Sequence, residues 1–294
     1  MSVIERALDR LRRQQGAAGV DGRDLSPTLA RLRRVPMPPP AEHNALDVSP
    51  ASFIEFDLNE FGRAGLYSGR NSQIADEYRM IKRALIRSAA QDKDVAPDSR
   101  SNLLMVASAL PGEGKTFTSV NLALSIAKEK DWQVLLIDAD CKNPQLSRLL
   151  GVQESPGLID ALSDPAIPLE SLILGTNIEG LAVLPLGRFD DHSAELFASS
   201  SMVGLCNKLS NPAHKRIVIF DSPPLLLTTE SVILASHVGQ IVVVVRANST
   251  PQHAVSEALG KLDHDKAIGL VLNCADEKGE GGYGSYVTYG YPAA

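Results

Sequence analysis

The chain has 294 residues, of which 44% are hydrophobic and 22% charged, a composition typical of a globular protein with a full core. Its formal net charge of −6 excludes a general attraction to nucleic acid or to anionic lipid. The 3 cysteines form no Cys-x-x-Cys pair, and no apolar run approaches the roughly 18–20 residues of a membrane span. We therefore expect a cytoplasmic protein without a nucleic-acid partner.

Residues 1–50 are predicted to form an amphipathic helix followed by a proline-rich linker. The apolar residues that recur at helical spacing are Val3, Ile4, Ala7, Leu8 and Leu11. The stretch RVPMPPPAEHN that follows favours an extended chain. The helix could pack on its own domain or dock on a partner or a membrane surface, and the sequence leaves both open.

Residues 51–100 form the second predicted segment. The pattern predicts helix from Phe53 to Arg87. A polar stretch, AAQDKDVAPDSRSN, then leads into the main domain, which we place at residues 101–276.

The main domain alternates short aliphatic runs with helical patterns. Such near-continuous apolar strands joined by helices predict an α/β fold, with a mostly parallel sheet covered by helices on both faces. The predicted strands are Leu103–Ser108, Gln133–Asp138, Leu181–Leu186, Arg216–Asp221, Gln240–Val245 and Ala267–Asn273. Ligands bind at the carboxyl ends of the strands in such sheets, so we expect the functional residues there.

The first of these strands ends in ALPGEGKT, Ala109–Thr116, which has the spacing of a phosphate-binding P-loop. Glycines let successive backbone N–H groups curl towards phosphate, and the following helix adds its positive dipole end. Lys115 supplies a positive charge, and Thr116 offers a hydroxyl to Mg²⁺. The predicted nucleotide-binding residues are Pro111, Gly112, Glu113, Gly114, Lys115, Thr116 and Phe117.

Acidic residues follow two more strands. Asp138 ends VLLID and is followed two residues later by Asp140, and Asp221 ends RIVIFD before two prolines. A single aspartate at a strand end commonly caps the next helix. Three of them beside a P-loop instead predict a Mg²⁺ and nucleophile site, because Mg²⁺ takes oxygen ligands and an attacking hydroxyl needs a proton acceptor.

These motifs together resemble the bacterial tyrosine kinases tied to exopolysaccharide synthesis, which use a P-loop NTPase fold of the ParA/MinD-like superfamily. The three signatures are the P-loop, the second aspartate motif at Leu135–Pro144 and the Asp-Ser-Pro-Pro motif at Ile217–Pro224. Overall the chain is most similar to the exosortase-linked tyrosine autokinases. Lys142 stands where the family usually has Arg, so the charge is kept but two-point contact is lost.

The resemblance implies a non-specific protein-tyrosine kinase that uses ATP and Mg²⁺. Lys115, Asp138 and Asp140 are the expected catalytic residues, with Asp138 as acceptor of the tyrosine proton. The expected metal ligands are Thr116, Asp138 and Asp221.

The resemblance also implies assembly. The segment ADEYRMIKR is similar to the family's oligomerisation helix, with Asp76, Arg79 and Lys82 at its charged positions. We expect a homo-oligomer, with a ring as its form. A separate inner-membrane regulator of polysaccharide chain length would act as activator and hold the kinase peripherally at that membrane, and a tyrosine phosphatase would reset it.

The last predicted segment, residues 277–294, is a flexible tail that concentrates tyrosine. Of the 6 tyrosines in the chain, Tyr283, Tyr286, Tyr289 and Tyr291 lie here among glycines. A tail in which tyrosines cannot be buried is explained if it is a substrate, so these four are the expected autophosphorylation sites. A low-complexity tail without a role is the plainer alternative.

Other functions on a similar fold remain open. A partitioning or division-site ATPase carries an extra lysine near the start of the P-loop, where this chain has Leu110. A GTPase is suggested by Asn273–Asp276, NCAD, although Cys274 replaces the lysine of the guanine-reading pattern. The cysteine spacing argues against an iron–sulfur reductase. An ATP-binding scaffold without turnover is the non-enzymatic alternative.

Overall fold

The computed structural model describes residues 52–63, 67, 72–91, 100–189, 193–210 and 215–275. The helix and linker predicted for residues 1–50, and the tyrosine tail at 277–294, lie outside the described residues.

The centre of the molecule is an eight-stranded sheet in the order β1-β4-β5-β3-β6-β2-β7-β8. The strands are β1 (Ser52–Ile54), β2 (Leu103–Ser108), β3 (Gln133–Asp138), β4 (Leu174–Thr176), β5 (Leu181–Leu184), β6 (Arg216–Asp221), β7 (Gln240–Arg246) and β8 (Ala267–Asn273). Neighbouring strands run parallel except β4 and β5, which are antiparallel. The carboxyl ends of β2, β3, β6, β7 and β8 therefore meet at one edge of the sheet.

Helices cover both faces of this sheet. They are α1 (Leu58–Arg63), α2 (Ser72–Gln91), α3 (Lys115–Ala127), α4 (Gln145–Leu149), α5 (Leu158–Ser163), α6 (Leu169–Leu172), a 3₁₀ helix (Ser193–Ala198), α7 (Ser200–Leu209), α8 (Thr229–His237) and α9 (Gln252–Leu259). Within the residues that the structure describes, none of these helices combines the length and apolar character that crossing a bilayer requires.

The alternation of side chains along β2 builds two cores. Leu103 and Met105 pack into the cluster shared with α5, α7, α8 and α9, whereas Leu104 and Val106 pack into the cluster shared with α2 and α3. All six residues of β2 are buried. The strand is apolar throughout because helices cover it on both sides, which confirms the predicted fold class.

The six predicted strands are all present, with small differences at their ends. β5 ends at Leu184 instead of Leu186, and β7 continues to Arg246. Pro185 lacks an N–H and cannot extend a ladder as a donor. The carbonyls of Pro185 and Leu186 instead accept hydrogen bonds from the N–H groups of Leu158 and Ile159, at 2.8 Å each.

Residues 51–100 differ most from the prediction. Part of the stretch predicted as helix from Phe53 is β1, which pairs in parallel with β4, and neither three-residue strand was predicted. Strands this short carry too few residues to show a period. Tyr78 and Leu85 of α2 are buried in the same core as α3. The boundary predicted at residue 100 therefore does not separate two cores.

Candidate active site

The P-loop lies between β2 and α3, as predicted. Gly112 and Gly114 have φ values of 75° and 100°. These left-handed conformations strain any residue with a Cβ atom, so the loop depends on glycine at both positions. α3 begins at Lys115, which places Lys115 and Thr116 in its first turn. The positive end of the helix dipole thus points at the loop.

A cavity of about 150 Å³ opens over this loop. It is lined by Pro111, Gly112, Gly114, Lys115, Thr116, Phe117, Asp140, Lys142, Asn143, Gln145 and Pro224. The predicted nucleotide-binding residues therefore share one cavity, with the exception of Glu113, which is buried beneath the loop. The wall opposite the P-loop comes from the residues after β3.

Asp221, at the end of β6, lies directly beside the P-loop helix. Its Oδ2 accepts a hydrogen bond of 2.7 Å from the hydroxyl of Thr116, and its Oδ1 accepts one of 3.1 Å from the hydroxyl of Ser119. Burial raises the pKa of Asp221 to about 6 despite these hydrogen bonds. Two of the predicted metal ligands are thus brought together. The role of Ser119 was missed, although its position three residues after Thr116 places both hydroxyls on one face of α3.

Asp138 is paired in register with Asp221 across β3 and β6, and it has no exposed surface. Its Oδ2 accepts hydrogen bonds from the N–H and the hydroxyl of Ser147, at 2.8 and 2.7 Å, and its Oδ1 accepts one of 3.2 Å from the N–H of Asp140. Burial, and then the charge of Asp221, raise the pKa of Asp138 to about 7. Asp138 therefore lies close to the predicted site, but its Oδ2 is already bound by Ser147.

Asp140 is the acidic residue that lines the cavity. Its Oδ1 accepts hydrogen bonds from the N–H groups of Lys142 and Asn143, at 3.2 and 3.0 Å, which hold the carboxylate in place. Burial raises the pKa of Asp140, and the nearby charge of Lys115 opposes this shift. The prediction gave proton acceptance to Asp138. In the structure Asp140 lines the cavity and Asp138 does not.

The residues present fit a Mg²⁺ ion. The donors near Thr116 and Asp221 are hydroxyl and carboxylate oxygens, which are hard ligands of the kind that Mg²⁺ takes. In the part of the chain that the structure describes, no group of three or more His, Cys, Asp or Glu side chains could hold a metal alone.

Lys142 extends from the same wall of the cavity and is 59% exposed. Its Nζ lies 3.7 Å from Oε1 of the buried Glu230 and 5.9 Å from the centre of the Phe189 ring. Glu230 and Phe189 thus orient the cation that replaces the family's usual Arg.

The predicted interface helix is α2, and its charged residues separate into two environments. Asp76 and Arg79 form an ion pair with each other, and both side chains are more than half exposed. Lys82 is buried, and its Nζ donates a 2.8 Å hydrogen bond to the carbonyl of Ser125 and lies 2.7 Å from Glu129. Lys82, one of the three charged positions expected at the interface, is thus bound within its own chain by the carbonyl of Ser125 and the carboxylate of Glu129.

Comparison with known proteins identifies the fold family. A family model described as ParA, NUBPL iron-transfer P-loop NTPase, matches residues 99–259. The solved kinase domain of VpsO is 30% identical, with a TM-score of 0.54, over 68% of this chain and 98% of that domain. The predicted assignment to a P-loop NTPase fold is confirmed.

Two curated relatives connect the chain to a family. EpsB of Ralstonia nicotianae is 31% identical over 85% of this chain, which spans only 34% of the length of EpsB. The tyrosine-protein kinase YwqD of Bacillus subtilis is 30% identical over 73% of this chain and 86% of YwqD. With nearly all of YwqD matched and the P-loop, Asp138 and Asp221 meeting at one edge of the sheet, this chain belongs to the bacterial tyrosine-protein kinase family.

Proposed function

We propose that the chain is an ATP-dependent protein-tyrosine autokinase that phosphorylates Tyr283, Tyr286, Tyr289 and Tyr291 and regulates exopolysaccharide synthesis or export. The observation that carries the proposal is that Lys115, Thr116 and Asp140 line one cavity, while Asp221 binds the hydroxyl of Thr116 directly behind it. This set contains what phosphoryl transfer needs, namely a phosphate cradle, an oxygen site for Mg²⁺ and a carboxylate at the acceptor side.

The P-loop would bind the phosphates of ATP through its backbone N–H groups, and Lys115 would neutralise charge on the β- and γ-phosphates. Thr116 and Asp221 would hold Mg²⁺, with Asp138 behind them in register with Asp221. When bound, Mg²⁺ neutralises the charge that develops on the phosphate oxygens. Asp221 is well suited to this position, because the two hydroxyls fix its orientation before any ligand arrives.

In the transfer step the tyrosine oxygen forms a bond to the γ-phosphorus, the bond to the β–γ bridging oxygen breaks, and ADP leaves. The phenolic proton passes to a carboxylate, and we assign that role to Asp140 because it lines the cavity. Asp138 acts as a positioning residue, since it accepts a hydrogen bond from the backbone N–H of Asp140 and is itself held by two hydrogen bonds from Ser147.

Assembly and partners extend the same proposal. The exposed ion pair of Asp76 and Arg79 on α2 would contribute to a homo-oligomeric ring in which one subunit presents its tail to the next. A separate inner-membrane regulator of chain length would activate the kinase and hold it at the cytoplasmic face of that membrane. A tyrosine phosphatase would reset the tail. Deletion of residues 1–50 tests whether that segment receives the regulator, because stimulation would then be lost while basal activity remains.

Incubation of the pure protein with Mg·ATP, followed by mass mapping of phosphotyrosine, tests the proposed activity. We expect phosphate on the four tail tyrosines of the wild type. Asp140→Asn should lower the rate by roughly 10²-fold or more, the usual range for removal of an acid–base group, while still binding Mg·ATP. ATP hydrolysis without any phosphotyrosine would instead favour the partitioning-type ATPase.

A further inference from the structure

Glu113 places a carboxylate inside a loop whose task is to bind anions. Its side chain is not part of the cavity lining and is only 2% exposed. Oε2 accepts a 2.7 Å hydrogen bond from the N–H of Leu110, and Oε1 accepts one from the hydroxyl of Thr250. Buried carboxylates require such partners, and these two hold the Glu113 carboxylate outside the cavity.

The main chain of Glu113 is bound from a third direction. Asn273, the last residue of β8, donates a 2.8 Å hydrogen bond from Nδ2 to the carbonyl of Glu113. Thr250 lies in the connection from β7 to α9, immediately before Pro251. Glu113, which precedes the P-loop helix, is therefore held at its side chain by Thr250 and at its carbonyl by Asn273, both more than 130 residues further along the chain.

Gly114 shows how closely Asn273 approaches this peptide. A Cβ atom built on Gly114 would lie 2.0 Å from Nδ2 and 3.2 Å from Cγ of Asn273. Real Cβ contacts do not reach 2.0 Å, so the amide of Asn273 occupies the space that any side chain at position 114 would need. Glycine is thus required here both for its φ of 100° and for the room it leaves to Asn273.

We propose that Asn273 is a positioning residue of the nucleotide site, which holds the Glu113–Gly114 peptide in its phosphate-binding conformation together with Thr250. The inference rests on the proposed function only in using the same nucleotide site. Asn273 stands in the NCAD stretch that resembles a guanine-reading motif. Its amide nitrogen binds the P-loop carbonyl and is absent from the cavity lining.

Asn273 acts on nucleotide affinity through preorganisation of the P-loop. Backbone N–H groups bind phosphate only when the loop already has its curled conformation, and a loop that must be ordered on binding loses that entropy from its affinity. An interaction that holds the loop equally for ground state and transition state changes substrate binding rather than turnover. Loss of Asn273 should therefore raise KM for ATP and leave kcat nearly unchanged.

The test compares Asn273→Asp and Asn273→Ala with Leu272→Thr. Asp has the shape of Asn but brings an oxygen instead of a donor to the Glu113 carbonyl. Leu272 is the adjacent residue of β8 and is 63% exposed, so its variant controls for disturbance of the edge strand. The dissociation constant of Mg·ADP carrying a fluorescent N-methylanthraniloyl group is measured well below the melting temperature. KM and kcat for ATP are measured in parallel.

We expect both Asn273 variants to raise the dissociation constant and KM about tenfold, the factor that corresponds to losing one buried hydrogen bond, while Leu272→Thr stays near wild type. If either folded Asn273 variant binds the probe as tightly as the wild type, the inference is overturned. Should both fail to fold, Thr250→Val decides, because it releases the side chain of Glu113, the residue whose carbonyl Asn273 binds. Probe binding needs no phosphotyrosine, so a chain that binds but does not phosphorylate contradicts only the proposed function.

Discussion

The hydroxyl of Thr116 donates a 2.7 Å hydrogen bond to Oδ2 of Asp221, which joins the first turn of α3 to the end of β6. Ser119 donates to the other oxygen of the same carboxylate at 3.1 Å. Both hydroxyls belong to one helix face, but only Thr116 lines the cavity. Thr116 is therefore placed to act as a metal ligand, whereas Ser119 is placed only to support the carboxylate of Asp221.

This difference predicts unequal effects of removing each hydroxyl. Thr116→Val should raise the Mg²⁺ concentration needed for half-maximal nucleotide binding by roughly tenfold or more, because a metal ligand is lost. Ser119→Ala should change it only a few fold, since Asp221 keeps its contact with Thr116. A Mg²⁺ titration of nucleotide binding measures both. Equal effects of the two variants would contradict the assignment of Thr116 as a metal ligand.

Lys115→Met should lower the rate of tail phosphorylation by roughly 10²–10³-fold, the range for loss of a preorganised charge at a developing anion. The fold should survive, because methionine fills the volume of the lysine stem at a site that is only 7% exposed. Lys261→Met, at an exposed position, is the matched control. Phosphotyrosine detection measures the activity and circular dichroism the fold. Undiminished phosphorylation in Lys115→Met would contradict the assignment of Lys115 as a catalytic residue.

The buried carboxylates predict a pH dependence of stability. The pKa of Asp138 is raised from an ordinary value near 3.8 to about 7 in the folded chain. Between these values the folded state binds the proton and the unfolded state does not, so the free energy of unfolding falls as pH rises. Asp140, Asp221 and Lys115 share this environment, and Asp221 adds to the effect with a pKa of about 6.

Urea unfolding of the nucleotide-free protein between pH 4 and pH 7 checks this prediction. The wild type should lose on the order of 1 kcal/mol or more across this window, at about 1.4 kcal/mol for each unit of pKa shift. Asp138→Asn should lose clearly less, because one of the three carboxyl groups with a raised pKa is gone. Asp263→Asn, at an exposed position, should keep the full loss. A fall of wild-type size in Asp138→Asn would show that Asp138 does not carry the linkage.

Much of this site could be predicted from local sequence, because a P-loop and an aspartate at a strand end can each be recognised within a few residues. Parallel topology then brings Lys115, Asp140 and Asp221 to one edge without further information. The supports of the site could not be predicted in this way. Ser147, Thr250 and Asn273 are ordinary polar residues in sequence, and they gain a role only through the contacts that the tertiary fold makes.

Lys82 illustrates a different limit. Tyr78, Lys82, Leu85 and Ala89 of α2 are buried at spacings of four, three and four residues, which is the stripe of an amphipathic helix. The pattern was present in the sequence but hidden, because a lysine counted as polar occupies one of its apolar positions. The aliphatic stem covers apolar surface while the ammonium reaches the carbonyl of Ser125 and the carboxylate of Glu129.

Lys82→Ala and Arg79→Ala should consequently have different effects. Lys82→Ala should lower the free energy of unfolding by about 1–3 kcal/mol, through loss of a charged hydrogen bond and of packing between α2 and α3. Arg79→Ala should leave stability nearly unchanged and weaken assembly, since its side chain is 55% exposed. Arg83→Ala, on the exposed side of the same helix, is the control. Chemical unfolding and light scattering measure the two properties. Full assembly of Arg79→Ala would remove Arg79 from the proposed interface.

The last prediction concerns Tyr283, Tyr286, Tyr289 and Tyr291, which lie outside the described residues. If a neighbouring subunit accepts these tyrosines, the unphosphorylated tail should help to hold the assembly together. Each phosphate adds about −1.5 to −2 charges, which would face the carboxylates of Asp140 and Asp221. A like-charge contact at about 4 Å costs roughly 4 kcal/mol at an effective dielectric constant of 20, before screening. Part of that cost, repeated at every subunit, would open a marginal interface.

Sedimentation before and after treatment with Mg·ATP tests this release. The wild type should dissociate once its tail is phosphorylated. The variant with all four tyrosines changed to Phe should stay assembled and still bind ATP, because it leaves every residue of the P-loop unchanged. Lys115→Met, which keeps the tyrosines but should not transfer phosphate, distinguishes phosphorylation from nucleotide binding as the cause and should also stay assembled. A wild type that remains assembled with a fully phosphorylated tail would refute release by charge repulsion, even where the kinase activity itself is present.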